Sequence, residues 1–104
     1  MPANMPPTSK PTVDESSMQQ VFNDVLTEIR RATDMFPNVP ADMVRRVSLV
    51  VEEAGESLQA ALDCTRAGAH FSVRRKHRIR LYEELIQTAA MAIRVATSLA
   101  KESK

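Results

Sequence analysis

The chain is short of glycine, cysteine and aromatic residues, and each scarcity removes a class of protein. Two glycines in 104 residues leave no glycine-rich phosphate loop and too few turn formers for a β fold. The abundant Ala, Leu, Val, Met, Glu and Arg favour helices instead. The single cysteine, Cys64, permits no internal disulfide, and His70 and His77 lack the paired spacing that would complete a zinc site with it. Cys64 follows Ala61 and Leu62 on a helical stretch, the setting of a buried, inert thiol. Three phenylalanines and one tyrosine are too few for a base-stacking surface on single-stranded nucleic acid. Phe22 is expected in the core, and Phe36 and Phe71 in packing. A net charge of +1 gives neither a basic field for a phosphate backbone nor an acidic one for cationic partners. No apolar run approaches the roughly 20 residues that span a bilayer. The polar, proline-bearing start does not read as a secretory leader, so the expected location is the cytoplasm, with no membrane partner.

Prolines 2, 6, 7 and 11 among Thr, Ser and Asn offer nothing to bury, and residues 1–14 are expected to be a disordered tail. Residues 15–104 then form a single helical domain. A first helix is expected from Ser16 or Ser17, under a hydroxyl cap, with Met18, Val21, Phe22, Val25, Leu26, Ile29 and Ala32 on one face. Pro37 and Pro40 break it. A second helix is expected from Ala41 to Ala67, with Met43, Val47, Val50, Val51, Ala54, Leu58, Ala61 and Leu62 as its main core face and Gly68 as its stop. After a link through Val73, a third helix is expected from Arg74 or Arg75, continuing through Leu81, Leu85, Ala89, Ala92, Ala96 and Leu99. The expected fold is all-α, an antiparallel bundle of three helices.

Carboxylates interrupt this pattern in an unusual place. Glu52, Glu53 and Glu56 form an EExxE arrangement, and Leu49, Glu53, Glu56 and Ala60 lie at i, i+4, i+7 and i+11. The acids therefore stand in a second stripe with apolar ends, opposite the main core face. Glu84, Thr88, Met91 and Val95 repeat the spacing on the third helix, with Gln87 one turn from Glu84. If Glu53, Glu56 and Glu84 converge, each pair ~4 Å apart costs about 4 kcal/mol at an effective dielectric near 20. Raised pKa values, intervening basic groups or bound divalent cations would each relieve that cost. A set of hard oxygens suits Mg2+ or Mn2+.

The two segments Glu52-Glu53-Ala54-Gly55-Glu56 and Glu84-Leu85-Ile86-Gln87, in this order on separate helices, resemble the EExxE and ExxD signature of the MazG-like all-α NTP pyrophosphatases. The likeness extends over roughly Phe22 to Ala96. It implies a metal-dependent nucleotide pyrophosphohydrolase that cleaves a nucleoside triphosphate, often a deoxynucleotide, to the monophosphate and pyrophosphate. It further implies metal ligation by Glu53, Glu56, Glu84 and Gln87, with Glu52 orienting or deprotonating the attacking water. The sequence departs from the signature at Gln87, where the family carries aspartate, and a glutamine offers a carbonyl oxygen but no charge.

Arg74-Arg75-Lys76-His77-Arg78 and Arg80 lie just before the second carboxylate segment. Lys76 and Arg80 are the candidate contacts to substrate phosphate, while the plainer reading is a solvated basic patch or an Arg80–Glu84 ion pair one turn apart. Helices two and three look apolar on more than one face, which a three-helix monomer cannot cover. A homodimer or dimer of dimers completing a four-helix core is therefore expected. Two other functions compete: a non-catalytic helical oligomeric module, suggested by Gln87, and a DNA-binding helical domain using Arg74 to Arg80. The nearby acids and the near-zero net charge argue against stable nucleic-acid binding.

Overall fold

The computed structural model describes residues 12–66, 68 and 70–103, which form three helices and, among the described residues, no strand. They are α1 (Glu15–Met35), α2 (Met43–Arg66) and α3 (Phe71–Glu102). Most of the expected tail, residues 1–11, lies outside the described residues.

The helix ends follow from local chemistry, and three differ from expectation. Asp14, not a serine hydroxyl, caps α1: its carboxylate accepts the Ser17 N–H at 2.8 Å and the Ser16 and Ser17 hydroxyls at 2.7 and 2.8 Å. These bonds, the Ser17 N–H foremost, draw the Asp14 pKa down to about 2. The α2 helix opens at Met43 because the Asp42 carboxylate accepts the Arg45 N–H at 2.8 Å and the Asp42 carbonyl the Arg46 N–H at 3.0 Å. Beyond its end, Gly68 adopts φ +73°, a left-handed turn that costs a glycine little. The α3 helix starts at Phe71, a turn ahead of expectation, and no proline or glycine interrupts the sequence from there to Glu102.

Helix α3 is the spine. Contacts of Arg46 with Glu102, Ser57 with Thr88 and Asp63 with Arg80 run α2 antiparallel along it. Contacts of Asp24 with Tyr82 and Phe36 with Arg94 run α1 parallel to it on another side. Both helices pack on α3 and neither packs on the other. The result is an up-down-up layer of 56 × 27 × 24 Å with a radius of gyration of 17.2 Å, against about 13 Å for a compact domain of 100 residues.

The core is correspondingly small. Val25 of α1 meets Ile86 and Ala90 of α3, with Val21, Ile29 and Ala89 around them. On the α2 side the buried residues are Arg46, Ser57, Ala60 and Val95. This reverses the expected faces of α2. The stripe that carries the acids lies against α3, while Val51 and Leu58 of the expected core face are 64% and 63% exposed. Helix α3 likewise leaves Leu85, Ala92 and Ala96 exposed and buries Ile86, Ala90 and Val95. Phe22, expected in the core, is exposed, as are Phe36 and Phe71. Cys64 is half-buried.

One buried charge fastens the layer at its far end. The Arg46 guanidinium donates to both Glu102 oxygens at 2.8 and 2.7 Å, to Ser98 Oγ at 3.2 Å, and to the Pro40 and Ala41 carbonyls at 2.6 and 3.1 Å. It thereby ties the connection before α2 to the end of α3, and it pulls the Glu102 pKa down.

Candidate functional site

The reversal of α2 brings the acids inward. Because the stripe of Leu49, Glu53, Glu56 and Ala60 faces α3, Glu53 and Glu56 meet Glu84, and carboxylate oxygens of the three lie within 4.8 Å of one another. The register is held next to them by a hydrogen bond of 2.9 Å between Ser57 and Thr88. The Thr88 hydroxyl itself donates to the Glu84 carbonyl at 2.9 Å, so Ser57 is the donor between the helices.

The cluster has no basic partner among the described residues. Glu53 Oε2 and Glu84 Oε2 are buried and accept no hydrogen bond, although a buried acceptor ordinarily finds a partner. Burial raises the Glu53 pKa, followed by the charge of Glu56, a hydrogen bond that a proton lets the two share, and the charges of Glu84 and Glu28. No ion pair engages any of the three among the described residues. Of the remedies open at the level of sequence, basic groups are therefore not the one adopted. Three hard oxygen donors with two unpaired buried oxygens fit a small divalent cation such as Mg2+ or Mn2+.

The remaining sequence-derived residues separate. Gln87 is half-buried and lines, with Glu28, a groove between α1 and α3 whose lining includes none of the three acids. Glu52 does not join the cluster: its side chain is 60% exposed and faces Arg45 at 3.6 Å. Two consecutive residues on a helix are about 100° apart, so Glu52 and Glu53 cannot both face α3. Arg80 is bound to Asp63 of α2 at 2.8 Å, not to Glu84. Lys76 is exposed on the first turns of α3. His70 precedes α3 and bonds Ser72 at 3.0 Å, and His77 is half-buried on it.

Sequence reasoning passed over Glu28, Arg46 and Ser57. Ser57 stands one turn from Glu53, at i+4, a signal that was present in the spacing. Glu28 sits one turn beyond Val25 on the inner side of α1, where Arg31 binds it at 2.8 and 2.6 Å and lowers its pKa.

The fold and site define an all-α three-helix layer with a cluster of acids at the seam between α2 and its central helix. In comparisons with protein-family models, curated proteins and solved structures, the chain matches none.

Proposed function

We propose that this chain is a metal-dependent nucleotide pyrophosphohydrolase, hydrolysing a (deoxy)nucleoside triphosphate to the monophosphate and pyrophosphate in the cytoplasm. The observation that carries the reading is the convergence of Glu53, Glu56 and Glu84 around buried, unpartnered oxygens. The order and spacing of these acids resemble the MazG-like signature. Nothing in simple helix packing requires three like charges to meet at a seam, and their repulsion opposes it.

Glu53, Glu56 and Glu84 would hold Mg2+ or Mn2+, with Gln87 offering a neutral carbonyl at the edge. The chemistry such a cation would supply is neutralisation of phosphate oxygens and activation of a water for in-line attack. The chain's own contribution is positioning. The Ser57–Thr88 bond fixes the distance between α2 and α3 beside the acids. Glu52, exposed on the outer face, lies outside this set; its role as a base for the water finds no support in the single chain.

Assembly belongs to the same reading. Val47, Val51 and Leu58 of α2 and Ile93 of α3 are exposed, on sides of their helices turned away from the acids. Leu58 follows Glu56 by about 200° around α2, and Ile93 lies about 180° from Glu84 around α3. A second copy covering these faces completes a four-helix core, as a homodimer or a dimer of dimers, without covering the acids. No helix of the described residues is long and apolar enough to cross a membrane.

The test is pyrophosphate release from a panel of ribo- and deoxynucleoside triphosphates, with Mg2+, with Mn2+ and with EDTA, run beside Glu56→Gln. Metal-dependent release lost in the variant is the expected result. A folded oligomer that releases none from any triphosphate would overturn the assignment and leave the non-catalytic module, consistent with Gln87 and the outward Glu52.

A further inference from the structure

The three helices sort their side chains onto two unlike faces of the layer. On α3, Arg80, Glu83, Gln87 and Arg94 stand at i, i+3, i+7 and i+14, along one stripe of the helix. From it Arg80 reaches Asp63 of α2, and Glu83 and Gln87 share a groove with Asp24, Thr27 and Glu28 of α1. Charged groups of all three helices thus stand on one face. Roughly 150° away around α3, Leu81, Leu85, Thr88, Ala92, Ala96 and Leu99 form a second stripe, and the Ser57–Thr88 bond sets the Ser57 side of α2 on that face. There α2 exposes Val47, Ala54 and Leu58, and α1, roughly 160° around from Asp24 and Glu28, exposes Phe22 and Leu26. None of these residues is charged. Charge enters this face at the start of α3, where Arg74 and Arg78 continue the line of Leu81 and Leu85 at steps of three and four. With Arg75, Phe71 and Tyr82 they line a hollow of about 520 Å³, and no ion pair engages the three arginines among the described residues.

Such a face needs a cover that is itself uncharged and as long as the layer. A second copy meets both conditions, because a two-fold axis sets the same face against itself. At 56 × 27 Å the layer has room for the ~800 Å² that each partner gives to a standard interface. The arginines decide the direction. With the two α3 helices parallel, both sets of Arg74, Arg75 and Arg78 crowd together at one end and repel where water is excluded. The other end of α3 offers Ala96 and Leu99 on this face, without charge, and C-terminal carbonyls that carry the negative end of the helix dipole. We infer that the uncharged face of all three helices, α1 included, is the interface with a second copy of this chain, and that the two α3 helices cross it antiparallel, each setting Arg74, Arg75 and Arg78 against the C-terminal end of the other. The inference rests on the assembly proposed above, which it extends from two helices to three and gives a direction; the cation centre does not enter it. Glu56 stands two turns before Asp63, towards the charged face, so the acids of the two copies open on opposite outer surfaces of the dimer.

The experiment joins two measurements on the full chain. Sedimentation velocity at micromolar concentration compares wild type with Phe22→Asp, Leu58→Asp and Thr27→Asp. Phe22 and Thr27 are both exposed on α1 but on different faces. Phe22→Asp is therefore expected to weaken the dimer by about tenfold or more, as Leu58→Asp does, and Thr27→Asp to leave it intact. Double electron–electron resonance then reads the distance between nitroxides on Lys101→Cys in a Cys64→Ser background. Lys101 lies about 14 residues from the midpoint of α3, so antiparallel helices hold the two labels about 40 Å apart and parallel ones hold them below about 30 Å. Circular dichroism establishes that each variant is folded; were Phe22→Asp not, Phe22→Ser makes the same comparison. A dimer that Leu58→Asp breaks and Phe22→Asp leaves intact, equal weakening by Thr27→Asp, or the short label distance would overturn the inference and leave the two-helix assembly standing. A wild-type monomer would overturn both, and its flotation with phosphatidylcholine–phosphatidylglycerol vesicles would assign the face to a lipid surface instead.

Discussion

Replacing Glu53 by glutamine is expected to stabilise the chain when metal is withheld and to make it the less stable of the two when metal is supplied. Without metal, Glu53 lies with Glu56 and Glu84 inside a sphere of contacts no wider than 4.8 Å. A fully ionised pair at that distance repels by about 3 kcal/mol at an effective dielectric of ~20. The actual relief is smaller, because Glu56 is exposed and its charge is screened, and because Glu53 already favours its protonated form. A gain of about 1–2 kcal/mol remains, and for a domain of this size each kcal/mol moves the melting temperature by roughly 4–8 °C. With Mg2+ at a hundred times its Kd, wild type gains about 2.7 kcal/mol by linkage and the variant gains little. The two curves should therefore cross. Differential scanning calorimetry of both proteins at one fixed concentration, in EDTA and in Mg2+, reads the effect directly. A Glu53→Gln protein that melts below wild type in EDTA, or that responds to Mg2+ as strongly as wild type does, would refute the reasoning.

Other expectations follow from the same geometry. Because the Glu53 carboxyl is raised above its ordinary 4.5, the folded chain binds more protons than the unfolded one just above that value. Stability in EDTA should thus fall as pH rises through the window from 4.5 to the raised value, and Glu53→Gln should flatten that limb. The Asp14 cap acts in the opposite sense: its stabilisation is complete above 3.8 and is lost as pH falls towards about 2. Ile86→Ala, which empties the contact between α1 and α3 at Val25, should cost about 2–4 kcal/mol in urea unfolding. Leu58→Asp changes a side chain 63% exposed in one chain, so for a lone monomer it should alter stability by less than about 0.5 kcal/mol. Sedimentation should instead show it breaking a wild-type oligomer into monomers, and a wild type that sediments as a monomer would remove the proposed assembly.

How far the sequence could be read depended on the range of the interactions concerned. Pro37 and Gly68 act on their immediate neighbours, and both mark the ends of helices as expected. The meeting of Glu53, Glu56 and Glu84 was also legible, since two stripes with the same spacing on adjacent helices have few ways to pack. The orientation of α2 was not. It is apolar on two sides, and periodicity alone does not say which side meets the chain's own α3 and which is left outward. The richer stripe of Met43, Val47, Val51 and Leu58 faces out, and the poorer one faces in. Arg46 was illegible for a different reason: its partners Ser98 and Glu102 lie 52 and 56 residues away, so only the folded register shows why an arginine is buried there. The start of α3 was placed late because Phe71, Ser72 and Val73 are modest helix formers, and the absence of any breaker after Gly68 outweighs them.

That α1 and α2 each rest on α3 and never on each other separates two properties that most small domains couple. The spacing of Glu53, Glu56 and Glu84 is a property of the α2–α3 seam alone, clamped at Arg46 and at Ser57. The width of the groove is a property of the α1–α3 seam, which rests on Val25, Ile86 and Ala90 and their neighbours. Substitutions along α1 can therefore reshape the α1–α3 groove while the acids keep their distances. Within one short chain, a single helix with a different neighbour on each side keeps the two independent.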